Sequence, residues 1–445
     1  MAVVQRPAGS AVPHSAPCYD SAVDGLISLY DLRRRDLEAL VRDLGEPRYR
    51  ADQLWHWLYR QLEDDPERMT TLPKQLRSRL ADAVGGGALE EVAATTSADG
   101  STTKHLFRLR DGQLIETVLM HYVDPADEDE GDVDADDGHE DDEGSPAGQA
   151  NGAAAEPGDG TGRKGGEAPD PGQPDSEPTA SRKRRHTVCV STQAGCAMGC
   201  TFCATGQMGL VRDLTLGECL EQIVWCARAL RASGERLTNV VFMGMGEPLA
   251  NWPTTSGAIE ALLDPDGLAL GARRVTVSTV GIVPGIARLA ELARPVRLAV
   301  SIHAPTDDLR RTLVPVNDTY PLADVLDACR RYQDASGRRI TFEYVLIRDV
   351  NDSAEHARAL ARVLRGLAAH VNLIPLNPTA GSPRRPSTYA RLAKFEDQLR
   401  RSGVSTTSRV RRGIEIEAGC GQLRSRVADG LLGRTIAPAA DETMS

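Results

Sequence analysis

The chain has 445 residues, 41% of them hydrophobic, and a net charge of −11, enough length for a full core and more than one structural unit. No apolar run is long enough to span a bilayer, and the first residues, MAVVQRPAGSAVPHSAPCYD, contain no apolar core of a secretory signal. The expected compartment is therefore the cytoplasm, where the nine cysteines stay mostly reduced and clustered ones point to metal or catalysis rather than structural disulfides.

Residues 1–24 read as a loose tail. From 25 to 88 the apolar spacing is helical, through YDLRRRDLEALVRDL, RADQLWHWLYRQL and PKQLRSRLADAV, which predicts a small helical accessory domain. Residues 89–123 change to a strand period, with two β-rich runs around Asp111-Gly112, a β-hairpin extension. Residues 124–180 hold 19 acidic and two basic residues, a net −17 that leaves +6 for the remaining chain. Such a polar, aromatic-poor stretch cannot bury enough surface to offset its ordering entropy. An acidic disordered insert is expected over 124–185, closed by the basic run 182–185.

From 186 onward strands and helices alternate. TVCVST, TNVVFMG, RRVTVST, VRLAVSIH, RRITFEYVLI and HVNLIPL read as six strands. Helical stretches lie between and after them, except between TNVVFMG and RRVTVST, where none is read, and the first has Thr215 and Glu218 spaced as a capping box. The prediction is an α/β core over 186–430, a partial (β/α)6 barrel of parallel strands, followed by a tail over 431–445. Barrels of this kind carry their chemistry at the C-terminal ends of the strands. There lie the cysteine loop, Gly246 and Glu247, Ser278, Ser301 and His303, and Asn377.

The loop 195-GCAMGCTFCATG-206 places Cys196, Cys200 and Cys203 in a C-x3-C-x2-C spacing. Three thiolates can hold three irons of a [4Fe–4S] cluster and leave the fourth open to a small molecule. The spacing alone also allows zinc with a distant fourth ligand and, with less weight, three packed core thiols. Cys189 lies between Val188 and Val190 and by alternation faces away from both. Cys420 sits in the small-residue loop Ala418-Gly419-Cys420-Gly421, a candidate exposed nucleophile. Cys18, Cys219, Cys226 and Cys329 read as structural. Arg310-Arg311, Arg384-Arg385 and Arg409, Arg411 and Arg412 are candidate phosphate contacts.

The cysteine spacing after the first strand of a βα repeat resembles the radical S-adenosylmethionine (SAM) superfamily, and Gly246-Glu247-Pro248 resembles its SAM-amine motif. The longer stretches CVSTQAGCAMGCTFCATGQMG, MGMGEPL, SIHAP, NLIPLNP and EAGCGQLR together resemble the adenine-C2 RNA methyltransferase family, over about residues 25–123 and 186–430. The acidic insert departs from that pattern. The resemblance implies a radical SAM barrel with a [4Fe–4S] cluster on Cys196, Cys200 and Cys203, and SAM on the open iron. It implies SAM contacts from Gly246, Glu247, Ser278, Ser301, Ile302, His303 and Asn377.

The implied reaction methylates C2 of adenosine 2503 in 23S rRNA and of adenosine 37 in tRNAs. Cys420 takes a methyl group from one SAM, and a second SAM is cleaved to a 5′-deoxyadenosyl radical that abstracts a hydrogen from that methyl. The carbon radical adds to C2, Glu116 accepts the C2 proton, and Cys189 attacks the Cys420 sulfur, forming a disulfide and releasing the RNA. The implied partners are the two RNAs and a flavodoxin- or ferredoxin-like electron donor, with no membrane and a monomeric enzyme. Without the resemblance, Glu116 reads as an exposed strand carboxylate. Three other readings stay open: methylation at adenine C8, a zinc-stabilised RNA-binding module, and an iron–sulfur electron carrier.

Overall fold

The computed structural model describes residues 28–122, 184–379, 382–408 and 413–423. Residues 124–183 of the expected insert, both tails, Cys18, Arg409, Arg411 and Arg412 lie outside the described residues, whereas Arg185, expected to close the insert, already opens a strand.

The N-terminal region holds α1 (Arg34–Asp43), α2 (Tyr49–His56, prolonged by a π turn, Trp57–Gln61) and α3 (Lys74–Ala83). Leu37 and Val41, one turn apart, give α1 its buried stripe. These helices share one continuous apolar core with the α/β region, through Trp55, Leu58 and Tyr59. Polar contacts reinforce the junction. The Asp31 carboxylate accepts from the Gly217 N–H at 2.7 Å, and the Ser28 hydroxyl donates to Glu221 at 2.8 Å. Arg34 pairs with Asp264 and Asp266, both at 3.1 Å.

The expected hairpin is a three-stranded meander, β1 (Leu89–Thr96), β2 (Thr102–Leu109) and β3 (Leu114–Tyr122). The Asp111-Gly112 turn joins β2 to β3 as the dipeptide predicts: Gly112 takes a φ of 82°, and the Asp111 carboxylate accepts from the Gln113 N–H. β1 was not anticipated because its LEEVAATT sequence has no clean alternation and lies largely exposed.

Beyond β4 (Arg185–Cys189) come the short β5 (Gln193–Gly195), α4 (Ala204–Met208), β6 (Leu210–Asp213) and α5 (Leu216–Ala232). The repeat continues with β7 (Asn239–Phe242), α6 (Trp252–Leu263), β8 (Val275–Thr279), α7 (Val283–Ala290), β9 (Arg297–Ser301), α8 (Asp307–Leu313) and α9 (Leu322–Ser336). It ends with β10 (Ile340–Leu346), α10 (Ala354–Val363), β11 (Ala369–Pro375), α11 (Tyr389–Arg401) and β12 (Ser405–Ser408). The order in the main sheet is β1-β2-β3-β4-β7-β8-β9-β10-β11-β12. β4 and β7 to β12 run parallel, and β3 joins β4 antiparallel. The six expected barrel strands are therefore present, with β12 as a seventh. The barrel is open, with β1 and β12 at its edges.

The expected capping box is formed, with Thr215 and Glu218 bonding each other's backbone. α6 was missed because Pro253 and Gly257 disguise it. Pro253 sits in the first turn, where its missing N–H costs nothing. Gly257 leaves room for Leu216, whose methyls would lie 3.0 Å from an added Cβ. Along β4 the alternation holds. Val188 and Val190 enter the helix-packed core, whereas Cys189 belongs to a second apolar cluster with Val118, Met245 and Leu423.

Candidate active site at the strand ends

The cysteine loop is held by backbone geometry that only glycine permits. Gly195 has a φ of 80°, and an added Cβ would sit 2.0 Å from the Gly209 carbonyl oxygen. That same carbonyl accepts from the Cys196 N–H at 2.8 Å. Gly206 lies against the Cys200 backbone, where a Cβ would come within 2.9 Å of its nitrogen. Cys196 and Cys200 are buried and Cys203 is half-buried.

Burial pushes the thiols up, Cys196 to about 12 and Cys200 well above the ordinary range, and each is opposed further by its neighbours. Burial raises Cys203 as well, against hydrogen bonds from Gly206 and Thr205 that lower it, and Cys420 adds to the rise. Two buried thiols and a half-buried one, whose thiolates would repel one another, ionise together only around a cation. These residues therefore fit a soft, positively charged metal group such as an iron–sulfur cluster.

The Cys420 segment lies directly on this loop. The Ala204 N–H donates to the Gly421 carbonyl at 2.8 Å, and the Thr205 hydroxyl to that of Leu423 at 2.7 Å. Asn377, after β11, donates from Nδ2 to the Cys420 carbonyl at 3.0 Å. Its Oδ1 is buried with no hydrogen-bond partner among the described residues, an acceptor that suits a donor group of a small molecule. Gly419 is hemmed in by Asn377 and Gln422, which would lie 2.6 and 2.7 Å from a Cβ. The Cys420 residue itself is exposed.

Glu247, in the loop after β7, is buried with its carboxylate turned to backbone. It accepts from Leu249 at 3.0 Å and from Val280, after β8, at 2.9 Å. Burial raises it to about 7, and those two N–H groups oppose the shift. Glu247 thus braces β7 to β8. Gly246 has a φ of 102° and passes so close to Gln193 that a Cβ would lie 2.6 Å away, while Gln193 accepts from the Glu247 N–H at 2.8 Å. Gln193 went unnoticed in the sequence because its partners come from another βα unit.

His303 takes a left-handed φ of 54°, a strained conformation for a non-glycine residue. Its Nδ1 accepts from the Val345 N–H at 3.1 Å, so the neutral ring carries its proton on Nε2. Burial, with help from Arg310, lowers it to about 3 and keeps it neutral. The ring stands edge-on to Phe202 of the cysteine loop, centroids 4.8 Å apart. Ser278 and Ser301 are half-buried on β8 and β9. Ile302 is fully buried, its N–H bonded to the Glu343 carbonyl.

One sequence expectation is corrected. Arg310 contacts no solvent and offers nothing to a phosphate: its guanidinium donates to the carbonyls of Val280, Ser301 and Ile302 and to Asn317. It sits on the inward face of α8, which the doublet Arg310-Arg311 could not reveal. Arg311 is on the outer face, paired with Asp308 and Asp318. Arg384 is half-buried and donates to Thr201 in the cysteine loop at 2.9 Å, and Arg385 is exposed.

Glu116 is not the exposed strand carboxylate that its pattern suggests. It is buried on β3, 3.0 Å from the Lys104 ammonium. The register pairs Leu106 with Glu116, and Val118 with both Lys104 and Cys189. Paired residues share a face, so Glu116, Lys104 and Cys189 project to the same side. Lys104 was missed, although its place in the register follows from the Asp111-Gly112 turn.

Residues 190–361 match the Radical SAM superfamily, and residues 27–84 the ribosomal RNA large subunit methyltransferase N-terminal domain. The chain is 44% identical over 404 residues to dual-specificity RNA methyltransferase RlmN 1 of Myxococcus xanthus, covering 91% of this chain and 96% of that protein. It is 41% identical over 404 residues to ribosomal RNA large subunit methyltransferase N of Nitrosopumilus maritimus, covering 90% and 99%. A crystal structure of a radical SAM methyltransferase from Sphaerobacter thermophilus superposes with a TM-score of 0.74 at 46% identity, over 89% of this chain and 99% of that one.

Proposed function

Because the chain belongs to the RlmN family of radical SAM RNA methyltransferases, we propose that it methylates C2 of adenosine 2503 in 23S rRNA and of adenosine 37 in tRNAs. The observation that carries this reading is the bond between the cysteine loop and the Cys420 loop, Ala204 N–H to Gly421 carbonyl at 2.8 Å. It sets an exposed thiol beside the loop that holds the metal ligands.

C2 of adenine is an electrophilic carbon and cannot displace a methyl group from SAM, whereas a thiolate can. When bound on Cys196, Cys200 and Cys203, the cluster and SAM supply, on one-electron reduction, a carbon radical able to take a hydrogen atom from a methyl group. Two SAM molecules serve each turnover, one as methyl source and one as radical source, and a flavodoxin- or ferredoxin-like protein supplies the electron. Cys420 carries the methyl group as a thioether and delivers its carbon to C2. Glu116 accepts the proton that leaves C2. The Cys189 thiol, losing its proton, then attacks the Cys420 sulfur, so that an S–S bond forms as the C–S bond breaks, and the freed carbon keeps the C–S bonding pair and takes up a proton to become the methyl group. Asn377 fixes the Cys420 carbonyl, and His303 stays neutral beneath the cysteine loop. The target adenosine is flipped out of its stack to reach this mouth.

The test is an anaerobic assay with methyl-labelled SAM and rRNA or tRNA fragments, read by nucleoside mass spectrometry. The proposal expects 2-methyladenosine at the two positions. An 8-methyladenosine product would reassign the chain to the C8 activity, and RNA binding without product would remove the catalytic reading.

A further inference from the structure

Lys104 touches two groups that the proposed reaction must bring together. Its ammonium lies 3.0 Å from Glu116 Oε1 and donates to the Glu417 carbonyl at 3.4 Å. Glu417 is three residues before Cys420, in the same loop. Only 14% of the Lys104 side chain and 5% of the Glu116 side chain are exposed. The same register sets Lys104, Val118 and Cys189 in one row across β2, β3 and β4. Two strand spacings put Lys104 and Cys189 about 10 Å apart, with Glu116 one step along the same face.

A carboxylate this buried keeps its charge only with a cation or several donors against it, and it accepts a proton only while ionised. A loop that brings a bulky RNA-bound carbon to that carboxylate must also stop at the right height. We infer that Lys104 is the positioning residue for proton removal: it holds Glu116 ionised and aimed, and it ties the Cys420 loop to that carboxylate. The inference rests on the reading of Glu116 as proton acceptor. In the step concerned, the C2 hydrogen leaves as a proton to a Glu116 oxygen, its bonding pair stays in the purine ring, and the unpaired electron left there by radical addition passes to a one-electron acceptor, a role that the oxidised iron–sulfur group held by Cys196, Cys200 and Cys203 would fill. The positive charge of Lys104 does not react. It sets the protonation state and the distance. The bland alternative is an ion pair that merely staples β2 to β3.

The experiment uses full-length enzyme with its cluster reconstituted anaerobically and a 23S rRNA fragment as probe. Lys104→Met, Lys104→Arg and Glu116→Gln are compared for 5′-deoxyadenosine formation, for covalent protein–RNA adduct on denaturing gels, and for released methylated RNA. The expected result is that Lys104→Met still cleaves SAM and forms adduct, but releases product about 100-fold more slowly, the size of a lost general base. Glu116→Gln should stall at the same stage, and Lys104→Arg should recover most of the rate. A staple would slow every step alike through lost stability and would not trap adduct.

Release within twofold of wild type in Lys104→Met, with Glu116→Gln still stalled, overturns the role of Lys104 and leaves Glu116 as proton acceptor. Normal release in both variants overturns the Glu116 reading and this inference with it. Should Lys104→Met fail to fold or to hold iron, Lys104→Gln decides by the same outcomes, since it keeps a donor for the Glu417 carbonyl without the charge.

Discussion

Replacing Arg310 with Met separates two accounts of a basic doublet. As a phosphate contact, Arg310 would matter for RNA affinity and little for folding. In the structure it is fully buried and holds four acceptors, the carbonyls of Val280, Ser301 and Ile302 and the side chain of Asn317. Burial lowers the guanidinium to about 10, so its charge is itself held at a cost that the acceptors offset. Methionine removes both the charge and the donors. Each buried acceptor left without a partner costs about 1 to 3 kcal/mol, and relief of the buried charge returns part of that. The net expectation is a loss of about 3 to 5 kcal/mol. The neighbouring Arg311→Ala, at an exposed pair, should leave the unfolding midpoint close to that of wild type. Chemical denaturation of the two variants beside wild type measures both. A loss below about 1 kcal/mol for Arg310→Met, together with weakened RNA binding, would refute the bracing role.

Three further outcomes are expected. Gly206→Ala drives a methyl group into the Cys200 backbone, so iron content after reconstitution should fall well below wild type while the far-UV circular dichroism is retained. Buried His303 takes up a proton near pH 3, whereas the unfolded residue does so near 6.5. The unfolded state therefore binds more protons between those values, and stability is lost as the pH falls through that window. From pH 7 to pH 5 the His303 share is about 2 kcal/mol, and His303→Gln should lack it in denaturation curves. Deleting residues 124–183 should shift the midpoint of thermal unfolding by no more than about 2 °C, because Tyr122 and Arg185 pair across β3 and β4 and a short turn can rejoin them.

The sequence made the repeat legible wherever one βα unit carries its own signal. Alternation placed Cys189 opposite Val188 and Val190, and the capping pair Thr215 and Glu218 marked the start of α5. It failed where a residue's meaning comes from another unit. Gln193 matters because Gly246 passes against it, Arg310 because the ends of β8 and β9 offer it carbonyls, and Lys104 because the β2–β3 register sets it beside Glu116. The Gln193 and Arg310 contacts leave no trace in local periodicity or spacing, and that of Lys104 shows only on counting back from the Asp111-Gly112 turn. The burial of Glu116 belongs to the same class. A lone carboxylate in a β-rich run reads as solvent-facing until the face it shares with Cys189 is known.

The central claim is that Cys420 carries the transferred carbon and Cys189 sets it free. Anaerobic reaction of Cys189→Ala and Cys420→Ala with SAM and an rRNA fragment, read on denaturing gels before and after nuclease, tests it most directly. Cys189→Ala should accumulate a covalent protein–RNA adduct that nuclease trims, and Cys420→Ala should form none although its cluster still cleaves SAM. Normal release of methylated RNA by Cys189→Ala, or adduct in Cys420→Ala, would contradict the account.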